Sequence, residues 1–253
     1  RGTTHRDVMG WISSLDHMRS FHPEYVFPSH TKPIIGSETI SDTFILYRDA
    51  IQFVHDQTVR LMNQGYYPDQ IIELVDLPEA IKKSPFLSEF YGTVRWSVKS
   101  IYNGYLGWFN GNPAELDPLS RKDEAQKFSD LVGGEEALFL ALTNAVNQNE
   151  MQWALELSDR LIALDFSISE VESLRRQALL YIGARSSNPN KRNYILSSAL
   201  ELSDGFISFP ETARTSEGVK EISIDTIFSI LSVRLNPEKV INKNMNVCFY
   251  FLS

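Results

Sequence analysis

The sequence predicts a mainly α-helical protein, and three patterns carry that expectation. Ile40, Phe44, Tyr47, Ile51, Val54, Thr58 and Leu61 recur in alternating steps of four and three, which lays them along one face of a long helix. Val94, Val98, Ile101, Tyr105 and Trp108 repeat that spacing. Beyond Ser120, four helix-sized segments follow at roughly 121–132, 135–147, 151–165 and 169–183.

Along the chain, Trp11, Ile12, Leu15 and Met18 fall at helical spacing, and Pro23 ends that run. Tyr25-Val26-Phe27 reads as a short buried strand. The loop Pro28-Ser29-His30-Thr31-Lys32-Pro33 follows it, and two prolines restrict its backbone. Ser37, after Gly36, is a candidate cap for the long helix. Gly65 suits that helix's left-handed end. Pro68 can open a short helix in its first turn, and Pro78 closes it. Asn110-Gly111-Asn112-Pro113 is strong turn chemistry.

The segments from Met151 interleave small and large apolar residues: Trp153, Ala154, Leu157 and Leu161, then Leu174, Ala178 and Tyr181. This is the pattern of one tetratricopeptide-type helical hairpin, with no second copy at a fixed period. Residues 186–190 read as a loop and 194–202 as another helix. Residues 204–220, rich in Ser, Thr, Gly and Glu, have the composition of a linker. A helix over about 225–235 ends at Asn236-Pro237. Val247 to Leu252 is a strand-like apolar run without a partner. Because residue 1 is Arg1 and the last strand stands alone, the sequence reads as a piece of a longer protein.

Composition narrows the function classes. The 253 residues carry a net charge of −8, with 43% apolar and 11% aromatic residues, which suits a folded globular chain and disfavours wrapping of nucleic acid. The single cysteine, Cys248, allows neither an internal disulfide nor a cysteine zinc site; in its apolar run it reads as inert. No apolar stretch is long enough to span a bilayer. The compartment cannot be read from the sequence.

Five histidines are present, and none forms a close metal-ligand pair. Nucleophile-elbow, Walker and dinucleotide glycine motifs are absent. Asp16-His17 reads as a surface pair. His30 is the candidate that stands out, because its loop holds an imidazole at a strand end, where ligands are commonly presented. The alternative is a loop histidine bonded to backbone.

Ser29-His30-Thr31-x-Pro33-Ile34-x-Gly36 resembles the closing metal-ligand loop of the alkyl sulfatases, zinc enzymes of the metallo-β-lactamase fold. The resemblance continues through Tyr47-Arg48-Asp49-Ala50, His55-Asp56-Gln57-Thr58, Asn63-x-Gly65 and Tyr91-Gly92-Thr93-Val94. Its most specific block is Tyr105-Leu106-Gly107-Trp108-Phe109-Asn110-Gly111-Asn112-Pro113. Arg192-Asn193-Tyr194 and Ala199-Leu200-Glu201-Leu202 close it.

The resemblance implies three parts. Residues 1–36 correspond to the tail of an αββα metallo-β-lactamase-like domain, and 37–205 to a helical dimerisation domain. After a linker at 206–215, residues 216–253 correspond to the truncated start of an α+β sterol-carrier-like domain. It further implies a two-zinc hydrolase that cleaves sulfate esters of primary alcohols, such as dodecyl sulfate, and works as a homodimer on amphiphilic alkyl sulfates. Of the family's zinc ligands only His30 can be placed; the H-x-H-x-D-H motif is absent from this sequence, so the chain by itself is expected to be inactive. No catalytic residue can be assigned within it.

Arg1 resembles a position near the sulfate pocket, where a guanidinium fork matches two sulfate oxygens; a solvated terminal charge is the alternative reading. Tyr91 and Tyr102 lie in the block that resembles the helical wall facing the active site, where a phenol can bond a sulfate or leaving oxygen. Packed tyrosines with satisfied hydroxyls are the alternative. Trp96, Trp108 and Phe109 are expected in the core. Two other readings remain: a non-enzymatic helical interaction module, and a zinc hydrolase with another substrate.

Overall fold

A computed structural model describes residues 5–203 and 222–241. The chain divides into two compact units, 1–204 and 205–253.

In the first unit, α1 (Val8–Ser20) starts at Asp7, whose carboxylate accepts from the Gly10 N–H at 3.0 Å, a standard N-cap. Its buried Ile12 and Leu15 face α2. A two-stranded antiparallel hairpin follows, β1 (Tyr25–Val26) with β2 (Ile34–Ile35), pairing Tyr25 with Ile35 and Val26 with Ile34. The expected buried strand is instead at the surface: Tyr25 and Phe27 are 61% and 75% exposed. Two residues per strand leave no second sheet to cover them.

The long helix α2 runs from Ser37 to Asn63. Ser37 is its first helical residue rather than its cap. Gly36 takes the cap position at φ +97°, a turn conformation open to glycine. Gly65, at φ +84°, ends the helix as expected. The buried line is Ile40, Thr43, Ala50, Val54, His55, Thr58 and Leu61, while Tyr47 is exposed. An alternating four–three pattern has a period of 3.5 and drifts about 20° per heptad against a straight helix. Over this length the stripe therefore turns off the apolar set and onto small and polar residues.

Helices α3 (Pro68–Leu74), α4 (Glu79–Lys82) and α5 (Val94–Leu106) follow, with 3₁₀ turns at Pro85–Leu87 and Pro113–Glu115. Helices α2, α3 and α5 enclose one core of Val54, Leu61, Ile71, Val75, Val98, Ile101 and Tyr102. The expected face of α5 departs after Ile101. The chain turns at Gly107 (φ +82°), so the helix stops before Trp108. Trp108 is 74% exposed, Tyr105 and Trp96 are also exposed, and Phe109 is half-buried. The expectation of core positions for Trp96 and Trp108 is thus corrected.

Helices α6 (Arg121–Val132), α7 (Glu135–Asn147), α8 (Met151–Ala163), α9 (Ile168–Arg185) and α10 (Pro189–Glu201) complete the unit. A second core gathers Leu138, Leu142, Leu157, Leu161, Val171 and Ala178. The α8–α9 pair packs as the expected hairpin, with Ala154, Leu157, Leu161 and Ala178 buried. A Cβ on Gly183 would lie 2.5 Å from Leu196, so glycine there lets α10 lie close on α9. Helix α10 begins five residues earlier than the apolar pattern indicates, because Asn188 caps it and Pro189 occupies its first turn.

In the second unit, α11 (Ile224–Arg234) is capped by Ser223 and α12 (Pro237–Val240) by Asn236. The linker at 206–215, the strand from Val247 and Cys248 lie outside the described residues.

Candidate functional site

His30 sits in the loop joining β1 to β2. The hairpin is closed below it by the Gly36 N–H donating to the Glu24 carbonyl at 3.0 Å. Among the described residues no hydrogen bond engages either ring nitrogen of His30. Its imidazole lies against the Tyr91 ring, with centroids 5.0 Å apart and planes at 36°. Both residues are exposed. Two sequence candidates, about sixty positions apart, are therefore side by side.

Tyr91 belongs to an irregular segment between the 3₁₀ turn and α5. Glu89 accepts from the Val94 N–H at 2.8 Å, and Thr93 caps α5 by accepting from Trp96 N–H at 3.1 Å. From the far end of the unit, Asn188 and Asn190 donate to carbonyls of this segment.

Tyr102 faces the other way. It is 5% exposed within the α2–α3–α5 core, and its hydroxyl donates to the Asn110 carbonyl at 3.1 Å. Burial, with a smaller contribution from Tyr67, raises its pKa. Arg1 lies outside the described residues. Asp16 pairs with Arg48 at 3.3 Å and Arg19 at 3.5 Å, and His17 meets the edge of Phe21, so this is a surface pair.

One arrangement has no counterpart in any local sequence pattern. His55, 8% exposed, binds Asp56 through Nδ1 at 2.8 Å and the Tyr105 hydroxyl through Nε2 at 2.7 Å. The carboxylate only accepts, so Nδ1 carries the proton; in the neutral ring Nε2 accepts from the phenol. Nearby, His5 Nδ1 donates to the Ser100 carbonyl at 3.1 Å, and its ring packs so tightly on Gly104 that no Cβ would fit. No local pattern links positions fifty residues apart, so only the helical crossing of α2 and α5 could expose this chain of groups.

As a metal donor, His30 is suitable: an imidazole with both nitrogens open binds zinc well. Among the described residues, however, no group of three or more His, Cys, Asp or Glu could hold an ion. The described residues therefore hold no complete metal site. No helix among the described residues is long and apolar enough to cross a membrane.

Residues 67–205 match the sequence model of a family described as alkyl sulfatase dimerisation. A linear primary-alkylsulfatase from a Pseudomonas species is 40% identical over 203 residues, covering 80% of this chain and 38% of that protein. The alkyl/aryl-sulfatase BDS1 of Saccharomyces cerevisiae is 30% identical over 254 residues, covering 98% of this chain and 39% of its own length. Among solved structures, a double mutant of the sec-alkyl sulfatase PisA1 from Pseudomonas superposes with a TM-score of 0.86 at 25% identity, over 94% of this chain and 38% of that one. The chain thus spans less than two-fifths of these relatives. A match over more than half of its residues, in a mainly helical fold that these structures share, shows that the chain belongs to the alkyl sulfatase dimerisation family.

Proposed function

We propose that this chain is part of an alkylsulfatase that hydrolyses sulfate esters of primary alcohols to the alcohol and inorganic sulfate. The observation that carries the reading is His30: an imidazole with open nitrogens, presented on a hairpin loop against Tyr91, in a chain of this family. His30 supplies one zinc ligand, and further donors come from portions of the protein that this chain does not span. Zinc, when bound, lowers the pKa of its water and offsets charge on the ester oxygens. Tyr91 limits rotation of the imidazole and offers a phenol to a sulfate oxygen. Arg1 supplies a guanidinium fork for the same group. Tyr102 reaches substrate only by releasing the Asn110 carbonyl. Two linear primary-alkylsulfatases are 40% identical over 203 residues and 28% over 252, against 24% over 255 for an (R)-specific secondary-alkylsulfatase, which supports a primary ester.

The chain also supplies a subunit contact. Phe86, Phe90, Tyr91, Trp96, Tyr105 and Trp108 are all exposed, and aromatic residues are enriched in interface cores. A symmetric interface built on them would use the same patch twice.

The test is His30→Ala in a complete enzyme carrying this segment. Zinc content and sulfate release from dodecyl sulfate should both fall, the rate by orders of magnitude, with the fold retained because the residue is exposed. Unchanged metal content and rate would overturn the ligand assignment.

A further inference from the structure

Asn188 does two things at once. Its Oδ1 accepts from the Lys191 N–H at 2.9 Å and so caps α10. Its Nδ2 points away from the helix, to the Glu89 carbonyl at 2.7 Å and the Gly92 carbonyl at 3.4 Å. The residue is only 5% exposed, so its end of these bonds is shielded from competing water. Asn190 adds a third anchor, donating through Nδ2 to the Tyr91 carbonyl at 2.8 Å. The first turn of α10 thus grips the carbonyls of residues 89, 91 and 92.

Besides these bonds, the Glu89 carboxylate accepts from the Val94 N–H and the Phe90 N–H donates to the Ser88 carbonyl, both within the same stretch of chain. Residues 89–92 form no regular element, and the side chains of Phe90 and Tyr91 are about half exposed, so burial does not fix the segment. The amide bonds do. The segment in turn carries the ring that lies 5.0 Å from His30. Three stretches remote in sequence meet here: α10, residues 89–92 and the β1–β2 loop.

We propose that Asn188 is a positioning residue for His30, acting through the 89–92 backbone and the Tyr91 ring. A ligating imidazole works only in one orientation, and partners outside the ligand shell hold it there. Here that partner is an aromatic face, and its own position is set by the helix that packs on α9. The consequence for zinc rests on the ligand reading of His30; the positioning itself does not.

The test uses the whole chain with ¹³C-labelled histidine, and the His30 ring signals are identified from a His30→Gln spectrum. The Tyr91 ring current displaces those signals, and Tyr91→Leu gives their position without it. Asn188→Asp keeps the capping acceptor, since Asp caps as well as Asn, but removes the donor to Glu89 and Gly92. Its His30 signals should move to the Tyr91→Leu position while helical circular dichroism is unchanged. Wild-type His30 signals in a folded Asn188→Asp chain would overturn the proposal. If that variant does not fold, Asn190→Ala takes its place, because it removes only the bond to Tyr91: movement toward the Tyr91→Leu position supports the proposal, and no movement overturns it. No metal enters the measurement, so failure of the zinc reading would leave these signals unchanged.

Discussion

The two cores of the first unit are built differently. Around α7, α8 and α9 the interior is mostly aliphatic, with Leu138, Leu142, Leu157 and Leu161 almost wholly buried beside the Ser158 hydroxyl, which accepts from Arg175. Around α2, α3 and α5 the interior admits polar groups, namely Thr58, His55 bridged to Tyr105, and Tyr102 bonded to Asn110. The large aromatics of that region lie outside, with Trp96, Tyr105 and Trp108 all exposed. The first region exposes apolar side chains singly on separate helices, Leu140, Trp153 and Leu180 among them. The second exposes a run of aromatics within residues 86–108, and its polar interior places side chains by direction rather than by volume. The contrast is between a mostly aliphatic core and a core with polar bridges and exposed aromatics around it.

The comparison can be broken most decisively by truncation. Leu157→Ala should cost about 2–5 kcal/mol, the range for cavities in close-packed cores. Trp108→Ala removes a larger side chain but, at 74% exposure, should change monomer stability by no more than about 0.5 kcal/mol. Urea unfolding of both variants under dissociating dilution checks this; equal losses would erase the distinction between the regions.

A smaller effect sharpens it. Tyr102→Phe should cost about 1 kcal/mol at neutral pH through the lost bond to the Asn110 carbonyl. Burial raises the folded-state pKa of Tyr102 above the ordinary phenol value of about 10. The neutral phenol is therefore the form the fold prefers. Its contribution is fully present below the unfolded-state pKa and is lost as pH rises through the folded one. Denaturation midpoints between pH 8 and 11 should fall less steeply for Tyr102→Phe than for the wild type; parallel curves would contradict the assignment.

How much of this was legible in the sequence follows the same division. In α6 to α9, local signals agree with one another. Ser120 caps, Gly133 at φ +103° stops, and the Leu and Ala period places the core, so segment boundaries fall close to expectation. In the α2–α5 region they compete. A 3.5-residue pattern on a straight helix turns its stripe away from Tyr47. Gly107 ends α5 before Trp108 joins the face. The start of α10 is written in Asn188-Pro189, a cap-and-proline pair whose composition equally suits a loop. For the site, His30 and Tyr91 were each visible as residues. Their adjacency, and the Asp56–His55–Tyr105 chain, depend on contacts across sixty and fifty positions that no local spacing encodes.

The most direct test of the contrast is the mass of the chain in solution. Light scattering at low micromolar concentration should give twice the 28.9 kDa of one chain. Trp108→Ala should return it toward a single copy without loss of helical circular dichroism, since truncating an interface anchor costs about 2 kcal/mol or more. A folded wild-type chain at 28.9 kDa, or a dimer indifferent to Trp108→Ala, would contradict the account.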